Sequence, residues 1–538
     1  MAKKYSTLLQ PKAPVKPKPI KENKITFAKT LKSTYLFYII LTINLVIYNL
    51  TALYPTLDGP AHLYNAKLLT AFIEQNNFVA TYYQINSLFI PNWLTHWLLA
   101  GLLYITNAIL AHKIFIGIYL TANAVSFRFL VKQLNPKNIE LSFFIFPLTF
   151  SFLFHLGFYN FSIAFPLFFT FIAYWIKTNN HLKIKHIPIL FGVITAIYYT
   201  NSLVFLFSGF IAGLVILQNM YNQYPKIKYK IALFKGIALL LISMLPLILL
   251  YRFYNSVSFY PTAENYSKTQ LLKWIIDGRS LIVFDYPGEE IITGSFFIIT
   301  CILLVISFLK KPIHFTDKIQ TYTVLGSPVI ISLVLLLVIK SGSNAGMMSD
   351  RFLNLFFVLL IIYTITRAST YKLNTFLMVI VVILHIALQF KHLNANIRKL
   401  DIQAMETYNA SNSISENSII LPVNFSDNWM HLHFSNYVGL KKPVIILENY
   451  EASVGWFPLT WTKTAMETKA VADSILEKPD TDTISNYQLI KYIMLLGDKI
   501  KLEQSEYSQL KNIIQANYVL KYQSEHNFIS LYELQTNK

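Results

Sequence analysis

The residues with the clearest chemical potential are Asp58 and His62, which stand just after the first long apolar run. An aspartate at the rim of an apolar bundle can accept a proton from a hydroxyl group, so Asp58 is our candidate general base. Asp58-Gly59-Pro60 is typical of a helix start, with a capping acid and a proline in the first turn. We predict a helix over 60–73, on which Asp58 and His62 share a face. Alternatively, Asp58 only caps a surface helix and His62 is structural.

Other polar side chains stand near the ends of later apolar runs. Ionisable groups at membrane depth are unfavourable and usually line a cavity. Arg351 could stabilise a leaving phosphate through bidentate hydrogen bonds, or it could be an interfacial arginine paired with Asp350. Asn201 is expected to terminate two short helices at a hairpin. These groups fall on one predicted side of the membrane: Asp58, His62, His155, Asn160, Asn201, Asp285, Asp350 and Arg351.

The composition indicates that membrane helices position these groups. Of the 538 residues, 54% are hydrophobic and 14% are charged, and the mean hydropathy is +0.44. Several apolar runs are long enough to span a bilayer, which indicates an integral membrane protein. The net charge of +19 does not indicate a nucleic-acid partner, because most lysines lie in short segments between apolar runs. The single cysteine, Cys301, provides neither a disulfide framework nor a thiolate metal site.

The basic segments predict a topology of about eleven spans. Residues 1–33 form a disordered basic tail in the cytoplasm. Segment 92–106 is interrupted by polar and aromatic residues, so we place it in the headgroup region as an interfacial helix pair. Every lysine-rich loop then faces the cytoplasm and the C-terminus lies outside. The predicted spans are 35–53, 114–131, 141–154, 161–176, 187–199, 203–218, 231–251, 291–309, 324–339, 352–365 and 377–390. The basic residues that fix this topology include Lys132, Lys137, Lys226, Lys228, Lys230, Lys235, Lys310, Lys311, Lys318, Arg367 and Lys372.

The composition changes after the last span. We predict that residues 34–392 form a mainly α-helical polytopic membrane bundle and that residues 393–538 form a soluble α/β domain outside the cytoplasm. The chain has no glycine-rich phosphate loop, which argues against an ATP-driven pump. In the second domain we predict strands at 418–423, 444–447 and 528–533 and helices at 487–496 and 503–515.

Three short motifs give the chain a resemblance to the GT-C superfamily of membrane glycosyltransferases. Asp58-Gly59-Pro60-Ala61-His62 resembles the acidic motif that follows the first span in that superfamily. The other two motifs open later spans and resemble those of bacterial members. They are Gly157-Phe158-Tyr159-Asn160 and Asp350-Arg351-Phe352.

The resemblance implies an inverting transfer of a hexosyl or pentosyl group from a polyprenyl-phosphate donor. The acceptor would be a glycan, a lipid or a protein on the extracytoplasmic face of the bacterial inner membrane. Asp58 would be the catalytic base, and the lipid bilayer would be the other partner, without nucleic acid. The substrate-binding residues would be His62, His155, Asn160, Asp285 and Arg351.

The chain departs from the superfamily pattern in the outer loop before the fourth span. Many GT-C enzymes carry a second acid there and bind a divalent metal, whereas this chain has His155 and Asn160. We assign no cofactor and leave a divalent metal open but disfavoured, because Asp58 with His62 is a poor site for a hard cation. Asp285 could replace the missing acid, or it could be a turn residue.

Several alternatives remain open. His431-Leu432-His433 alternates like a strand and is a weak metal signal. The aromatic run 449–458 could stack on sugar rings or pack in a core. The whole chain could also be a flippase or transporter for lipid-linked glycans, which predicts charged or broken helices near the bilayer midplane. A third class is an O-antigen ligase or polymerase-like enzyme.

Overall fold

The apolar runs form helices in the computed structural model of the chain. It describes residues 22–87, 89–178, 182–223, 229–257, 264–309, 322–343, 346–366, 371–476 and 488–535. Most of the predicted basic tail lies outside these residues, as do Lys226, Lys228, Lys310, Lys311, Lys318 and Arg367.

In the first half of the chain, helices alternate with short connecting segments. They are α1 (Glu22–Asn49), α2 (Gly59–Ile73), α3 (Asn77–Tyr82), α4 (Leu94–Ile105), α5 (Ala108–Leu134), α6 (Ile145–Thr149), α7 (Phe152–His155), α8 (Tyr159–Thr178), α9 (Ile187–Thr200), α10 (Ser202–Gln223) and α11 (Tyr229–Ser256). The second half contains α12 (Lys268–Ile276), α13 (Tyr286–Leu309), α14 (Ser327–Val338), α15 (Met348–Ile365), α16 (Tyr371–His392), α17 (Arg398–Ala410), α18 (Lys463–Leu476) and α19 (Ser508–Asn517).

Each of the eleven predicted spans coincides with apolar helical structure. In the described part of the chain, seven segments are long and apolar enough to cross a membrane: Ala108–Leu134, Pro136–His155, Tyr159–Thr178, Leu233–Ser256, Tyr286–Leu309, Met348–Ile365 and Leu373–Ser413. The other four runs form shorter apolar helices: Ser33–Asn49, Ile184–Thr200, Ser202–Gln218 and Val324–Val338.

The segment predicted to lie in the headgroup region forms one helix, α4, rather than a pair. Its 12 residues extend about 18 Å, which is shorter than the ~30 Å hydrocarbon core of a bilayer. Segment 136–155 is also irregular, since a 3-10 helix at Pro136–Phe144 precedes the short helices α6 and α7. This segment is buried within the protein, where neighbouring helices surround it.

The C-terminal region contains a five-stranded mixed sheet. Its strands are β2 (Ile419–Phe425), β3 (Ile445–Ile446), β5 (Tyr492–Gly497), β6 (Tyr518–Gln523) and β7 (Ile529–Leu534), in the order β3-β2-β5-β7-β6. Strand β2 is parallel to β3 and β5, whereas β7 is antiparallel to β5 and β6. The predicted boundary at 392/393 falls inside a helical segment, because α16 continues through a π-turn into α17.

The predicted helix over 487–496 is wrong, since residues 492–497 form β5; residue 487 lies outside the described residues. Five consecutive residues of β5 are buried, so a strand covered on both faces has no alternating pattern to distinguish it from a helix. The predicted strands 418–423, 444–447 and 528–533 coincide with β2, β3 and β7. The predicted helix 503–515 begins later, at Ser508 of α19.

The C-terminal region packs on α2, the helix that begins beside Asp58. Asn65 and Asn449 exchange two side-chain hydrogen bonds of 2.9 Å. The Tyr64 hydroxyl donates to the Val444 carbonyl at 2.7 Å. Strands β1 (Tyr83–Ile85) and β4 (Leu459–Trp461) form a second, antiparallel contact between the two parts. Residues near 449–458 are therefore held over the start of α2.

Candidate active site

A cavity of about 260 Å³ lies where one end of the helical bundle meets the C-terminal region. Six bundle segments form its wall: the starts of α2, α8 and α15, the segment before α4, the turn between α9 and α10, and the end of α11. The C-terminal region closes it with aromatic side chains. Polar lining residues are Asp58, His62, Asn92, Asn160, Asn201, Ser202 and Arg351, and aromatic ones include Phe158, Phe161, Phe253, Tyr254, Tyr450, Trp456 and Phe457.

The turn before α8 holds the backbone of Asp58. The Asp58 amide donates to the Leu156 carbonyl at 3.2 Å. Gly157 has a φ of +78°, and a Cβ atom on it would lie 2.6 Å from the Asp58 nitrogen. A glycine is therefore required here, both for the positive φ and because the segments around Gly157 and Asp58 approach each other closely. Asp58 precedes α2 as predicted, but its carboxylate makes no capping hydrogen bond, which leaves it available to the cavity.

His433 and Glu448 of the C-terminal region extend from Asp58 in a row. His433 Nε2 lies 3.7 Å from Asp58 Oδ1, and His433 Nδ1 lies 2.5 Å from Glu448 Oε1. The other Glu448 oxygen accepts from Ser435 and Asn436. The ring of Tyr450 stacks on His433 with their centroids 4.3 Å apart. The His433 ring is thereby fixed between two acidic side chains, one of which is the candidate base.

Burial and the neighbouring histidines act on the pKa of Asp58 in opposite directions. Burial raises the pKa of the Asp58 carboxyl, and the nearby His433 and His62 side chains lower it without cancelling that effect. Burial alone would lower the pKa of His433, but its hydrogen bond to Glu448 and the charges of Glu448, Asp58 and Glu451 raise it above its ordinary value. A base with a raised pKa is stronger, and His433 and His62 limit the rise in the pKa of Asp58.

A second cluster, which includes the cavity-lining His62, consists of His62, His96 and Glu451. His62 Nδ1 lies 2.5 Å from Glu451 Oε1, and His96 Nε2 lies 2.8 Å from Glu451 Oε2. All three side chains are at most 3% exposed. Burial would raise the pKa of Glu451, but the two histidines outweigh it and lower that pKa to about 2. Burial would lower the pKa of His62, but Glu451 raises it.

The same cluster could hold a divalent cation. The ligand atoms of His62, His96 and Glu451 all lie within 4.8 Å of one another. The remaining ring nitrogens donate to backbone carbonyls, from His62 to Gly157 at 2.8 Å and from His96 to Asn92 at 3.2 Å. Metal-bound histidines are typically oriented in this way. Two imidazoles and one carboxylate suit Zn²⁺ and would leave a coordination position open. The acids considered from the sequence did not include Glu451.

Arg351 faces the cavity, whereas its neighbour Asp350 faces away from it. The Arg351 guanidinium lies 4.7 Å from the centroid of the Phe158 ring. Its Nε is buried without a hydrogen-bond partner in the described structure. Asp350 is 3% exposed and lies 3.9 Å from Arg279 Nε. The predicted alternative of an interfacial arginine paired with Asp350 therefore does not describe Arg351.

The cavity includes four of the six predicted site residues: Asp58, His62, Asn160 and Arg351. Asn160 connects two elements of the wall, since its Oδ1 accepts from Thr95 and its Nδ2 donates to Asn92. Asn201 also lines the cavity and, as predicted, caps a helix, because its Oδ1 accepts from the amides at the start of α10.

The other two predicted residues, His155 and Asp285, do not line this cavity. His155 is fully buried, and its Nε2 lies 3.0 Å from the Tyr54 hydroxyl. It contributes through its backbone, because its carbonyl accepts from the Leu57 amide beside Asp58. The Asp285 side chain is 53% exposed and lies 3.3 Å from Lys391 Nζ. The turn interpretation of Asp285 fits this position better than substitution for a missing acid.

The sequence patterns gave no role to His96, Glu448 or Glu451, whereas Tyr450 belongs to the aromatic run 449–458 that was considered for stacking on sugar rings. His431 and His433 were considered as a pair on a strand, but the structure places them in and after a 3-10 helix with different partners. His431 contacts Gln403 and Ser426 instead of Asp58.

No protein-family model matches the chain, and no curated protein matches its sequence. Two crystal structures of ArnT from Cupriavidus metallidurans can be aligned with most of it. The structure bound to undecaprenyl phosphate gives a TM-score of 0.45 at 9% identity and covers 94% of this chain and 98% of that one. The apo structure gives a TM-score of 0.39 at 10% identity, with coverages of 93% and 98%. Similarity at this level assigns no activity to the chain.

Proposed function

We propose that the protein is a membrane glycosyltransferase that moves a sugar from a polyprenyl-phosphate donor to an acceptor hydroxyl. The main support is that Asp58 and Arg351, which are far apart in the sequence, line the same cavity. A base for the acceptor and a cation for the leaving phosphate are the two groups that this reaction needs most.

Asp58 is the general base in this proposal. The acceptor oxygen attacks the anomeric carbon of the sugar, its proton passes to Asp58, and the bond from that carbon to the phosphate oxygen breaks. Polyprenyl phosphate leaves with the bonding electron pair. Asp58 is the only carboxylate among the residues that line the cavity in the described structure. A single base without a second, nucleophilic carboxylate favours one displacement with inversion.

Arg351 is the group that binds the leaving phosphate. Guanidinium forms paired, charge-assisted hydrogen bonds to phosphate oxygens, which strengthen as negative charge develops. The buried and unpartnered Nε of Arg351 is a donor that a ligand in the cavity could satisfy. Its stacking on Phe158 holds the guanidinium plane in place.

The remaining wall suits a sugar beside a hydrocarbon. Tyr450, Trp456 and Phe457 offer aromatic faces to the apolar face of a sugar ring. Leu203, Leu206 and Phe253 come from membrane helices and form an apolar side. A cavity with polar groups, aromatic walls and an apolar side matches an amphipathic lipid-linked sugar.

His62, His96 and Glu451 would hold a cation beside the cavity if one is bound. Such an ion would supply positive charge near the phosphate when bound. The residues of this chain have a definite role without it, since the cluster connects α2, α4 and the C-terminal region and so fixes the cavity wall.

The proposed setting is the bacterial inner membrane, with the N-terminus in the cytoplasm and the C-terminal region outside. The acceptor would be a glycan, a lipid or a protein on that outer side. The test is release of undecaprenyl phosphate from a panel of undecaprenyl-phosphate sugars by the protein in proteoliposomes supplied with envelope extract. Release that depends on the extract would support the proposal; no release from any hexosyl or pentosyl donor would overturn it.

A further inference from the structure

A second cavity, of about 390 Å³, lies outside the candidate active site. It is formed by α7, by the region from α12 to the start of α13, and by the C-terminal region. Its volume falls in the range of about 300–1,000 Å³ that is typical of small-molecule sites. In the described structure it shares no lining residue with the catalytic cavity, so the two are separate sites.

Aromatic rings form most of the wall of this second cavity. Trp429 is 40% exposed, and its ring centroid lies 6.5 Å from that of Phe152 at an angle of 54°, so the two rings do not stack on each other. Exposed aromatic faces of this kind suit the apolar face of a sugar ring. Five of the nine residues that line the cavity in the described structure are aromatic: Phe152, Trp274, Phe284, Tyr286 and Trp429.

Arg279 and Gln270 provide the polar groups of this wall. The Arg279 guanidinium lies 3.7 Å from the ring centroid of Phe152 and 5.6 Å from that of Trp274, which fixes its plane. A guanidinium has five N–H groups, and among the described residues Arg279 uses one of them in a hydrogen bond, to the Ile282 carbonyl at 2.9 Å. Donors therefore remain for the hydroxyl groups of a ligand, and the exposed Gln270 amide can both donate and accept.

The charges around the second cavity are balanced, which favours a neutral ligand. Arg279 is the only charged residue among those that line it in the described structure, and its Nε lies 3.9 Å from Asp350 Oδ1. Beside the Tyr286 ring, Lys273 Nζ lies 3.8 Å from Asp277 Oδ2, which also accepts from the Tyr286 hydroxyl at 2.7 Å. A phosphate needs positive charge that is not already paired, whereas a sugar hydroxyl needs only hydrogen-bond donors and acceptors.

Two short connections join the second cavity to the catalytic one. Asp350, the partner of Arg279, directly precedes Arg351 in the chain. Trp429 lies four residues before His433, which contacts the candidate base. Four residues of extended chain span at most about 14 Å. The two cavities are therefore close neighbours, so that a single oligosaccharide could reach from one to the other.

We propose that the second cavity binds a sugar residue of the acceptor, so that the acceptor is an oligosaccharide chain and not a single hydroxyl-bearing lipid or side chain. The assignment of the ligand as the acceptor rests on the proposed function, whereas binding of a carbohydrate rests on the cavity alone. A sugar held here lies away from the reacting hydroxyl. It contributes affinity and selects the acceptor without taking part in the chemical step.

Truncation of exposed side chains in the wall tests this binding. Trp429→Ala and Gln270→Ala each shorten an exposed side chain, so both variants should fold. The matched control is Trp97→Ala on α4, which removes a tryptophan of nearly equal exposure, 41%, that does not line the cavity. Each purified protein, in nanodiscs, would be applied to an array of neutral and acidic bacterial envelope oligosaccharides that also carries phosphatidylglycerol vesicles.

We expect the wild type to bind neutral oligosaccharides, and Trp429→Ala to bind them at least about tenfold more weakly, a change of about 1.4 kcal/mol. Gln270→Ala should bind them about threefold more weakly or less tightly still, because it removes one hydrogen-bonding group. Trp97→Ala should bind as the wild type does. Three results would overturn the proposal: a wild type that binds no oligosaccharide, binding confined to acidic oligosaccharides or phosphatidylglycerol, and unchanged binding by both cavity variants.

Acceptor kinetics separate this inference from the proposed function. In the transfer assay, Trp429→Ala should raise KM for an oligosaccharide acceptor that the array identifies by about tenfold. It should leave kcat and the KM for the undecaprenyl-phosphate sugar unchanged, whereas a displaced His433 would lower kcat. An unchanged acceptor KM would overturn the assignment of the cavity to the acceptor. Oligosaccharide binding by a wild type that transfers no sugar would overturn only the proposed function.

Discussion

The Nε2 atom of His433 lies 3.7 Å from Oδ1 of Asp58, although the two residues belong to different parts of the fold. Asp58 precedes α2 of the bundle, and His433 follows a 3-10 helix of the C-terminal region. Glu448 holds the opposite nitrogen of the same ring at 2.5 Å. The C-terminal region therefore completes the surroundings of the base as well as covering the cavity.

Replacing His433 should change the pH dependence of transfer. Asp58 acts as a carboxylate, so activity falls as the pH drops through its pKa. The positive charge of His433 lowers that pKa, so His433→Gln should raise it and move the acidic limb of kcat/KM to higher pH. His62, Glu451 and Arg351 remain beside Asp58 in this variant. The loss should therefore be greatest at low pH and smallest on the alkaline side.

The control for this experiment is His431→Gln, which removes a nearby histidine that contacts Gln403 and Ser426 instead. Its pH profile should match that of the wild type. A His433→Gln profile with an unshifted acidic limb would contradict the proposed coupling between His433 and the base.

Gly157→Ala should disturb the base through its backbone. The added Cβ would lie 2.6 Å from the Asp58 nitrogen, in a residue whose φ is +78°. We expect a loss of about 1–3 kcal/mol in the free energy of unfolding and a large loss of transfer activity. Thermal unfolding in detergent and the transfer assay would measure both effects.

Gly192→Ala on α9 is the matched substitution, because its Cβ would meet nothing within 4 Å. It should leave activity unchanged and stabilise the helix by about 0.5–1 kcal/mol. Equal stability and activity of wild type and Gly157→Ala would show that the tight turn is unnecessary.

The parts of this site that follow local patterns could be predicted from the sequence. Proline and an acid mark the start of α2, and apolar runs mark the membrane helices, because both signals depend on neighbouring residues. Arg351 at the start of α15 was identified for the same reason. These features place Asp58 and Arg351 at one end of the bundle.

The contribution of the C-terminal region could not be predicted in this way. It depends on the docking of Asn449 against Asn65, which connects parts of the chain far apart in sequence. His433 and Glu451 reach the cavity only through that contact. His96 was missed because α4 was assigned to the headgroup region, where a histidine needs no buried partner. Asp285 was considered as a replacement for the missing acid because its sequence neighbours do not reveal that its side chain pairs with Lys391.

Arg351 should contribute to binding and departure of the phosphate. Arg351→Ala should lower kcat/KM for the donor about 10²-fold, because it removes a donor aimed at developing charge. Arg351→Lys should recover only part of this, since lysine lacks the bidentate fork. Arg398→Lys, an exposed arginine on α17, is the control and should transfer as the wild type does. The measurement is steady-state kinetics. Full activity of Arg351→Lys would contradict binding of the phosphate by the guanidinium.

The histidine cluster should bind one divalent cation. The donor set of two imidazoles and a carboxylate predicts zinc in preference to magnesium or calcium. His96→Ala and Glu451→Gln should each weaken binding by about 100-fold or more, whereas His431→Gln should not. Elemental analysis and zinc titration of the purified protein would measure this. Wild-type protein that takes up no zinc would show that the cluster is an ion-paired network that fixes the cavity wall.

Sugar transfer by Asp58→Asn compared with Asp285→Asn tests the central claim most directly. Asparagine keeps the size of the side chain and cannot accept the proton. Asp58→Asn should therefore fold normally and lose about 10²- to 10⁴-fold in kcat. Asp285→Asn alters an exposed acid paired with Lys391, and it should retain wild-type activity. Transfer at the wild-type rate by Asp58→Asn would contradict the account, because the cavity would then lack the base on which the mechanism depends.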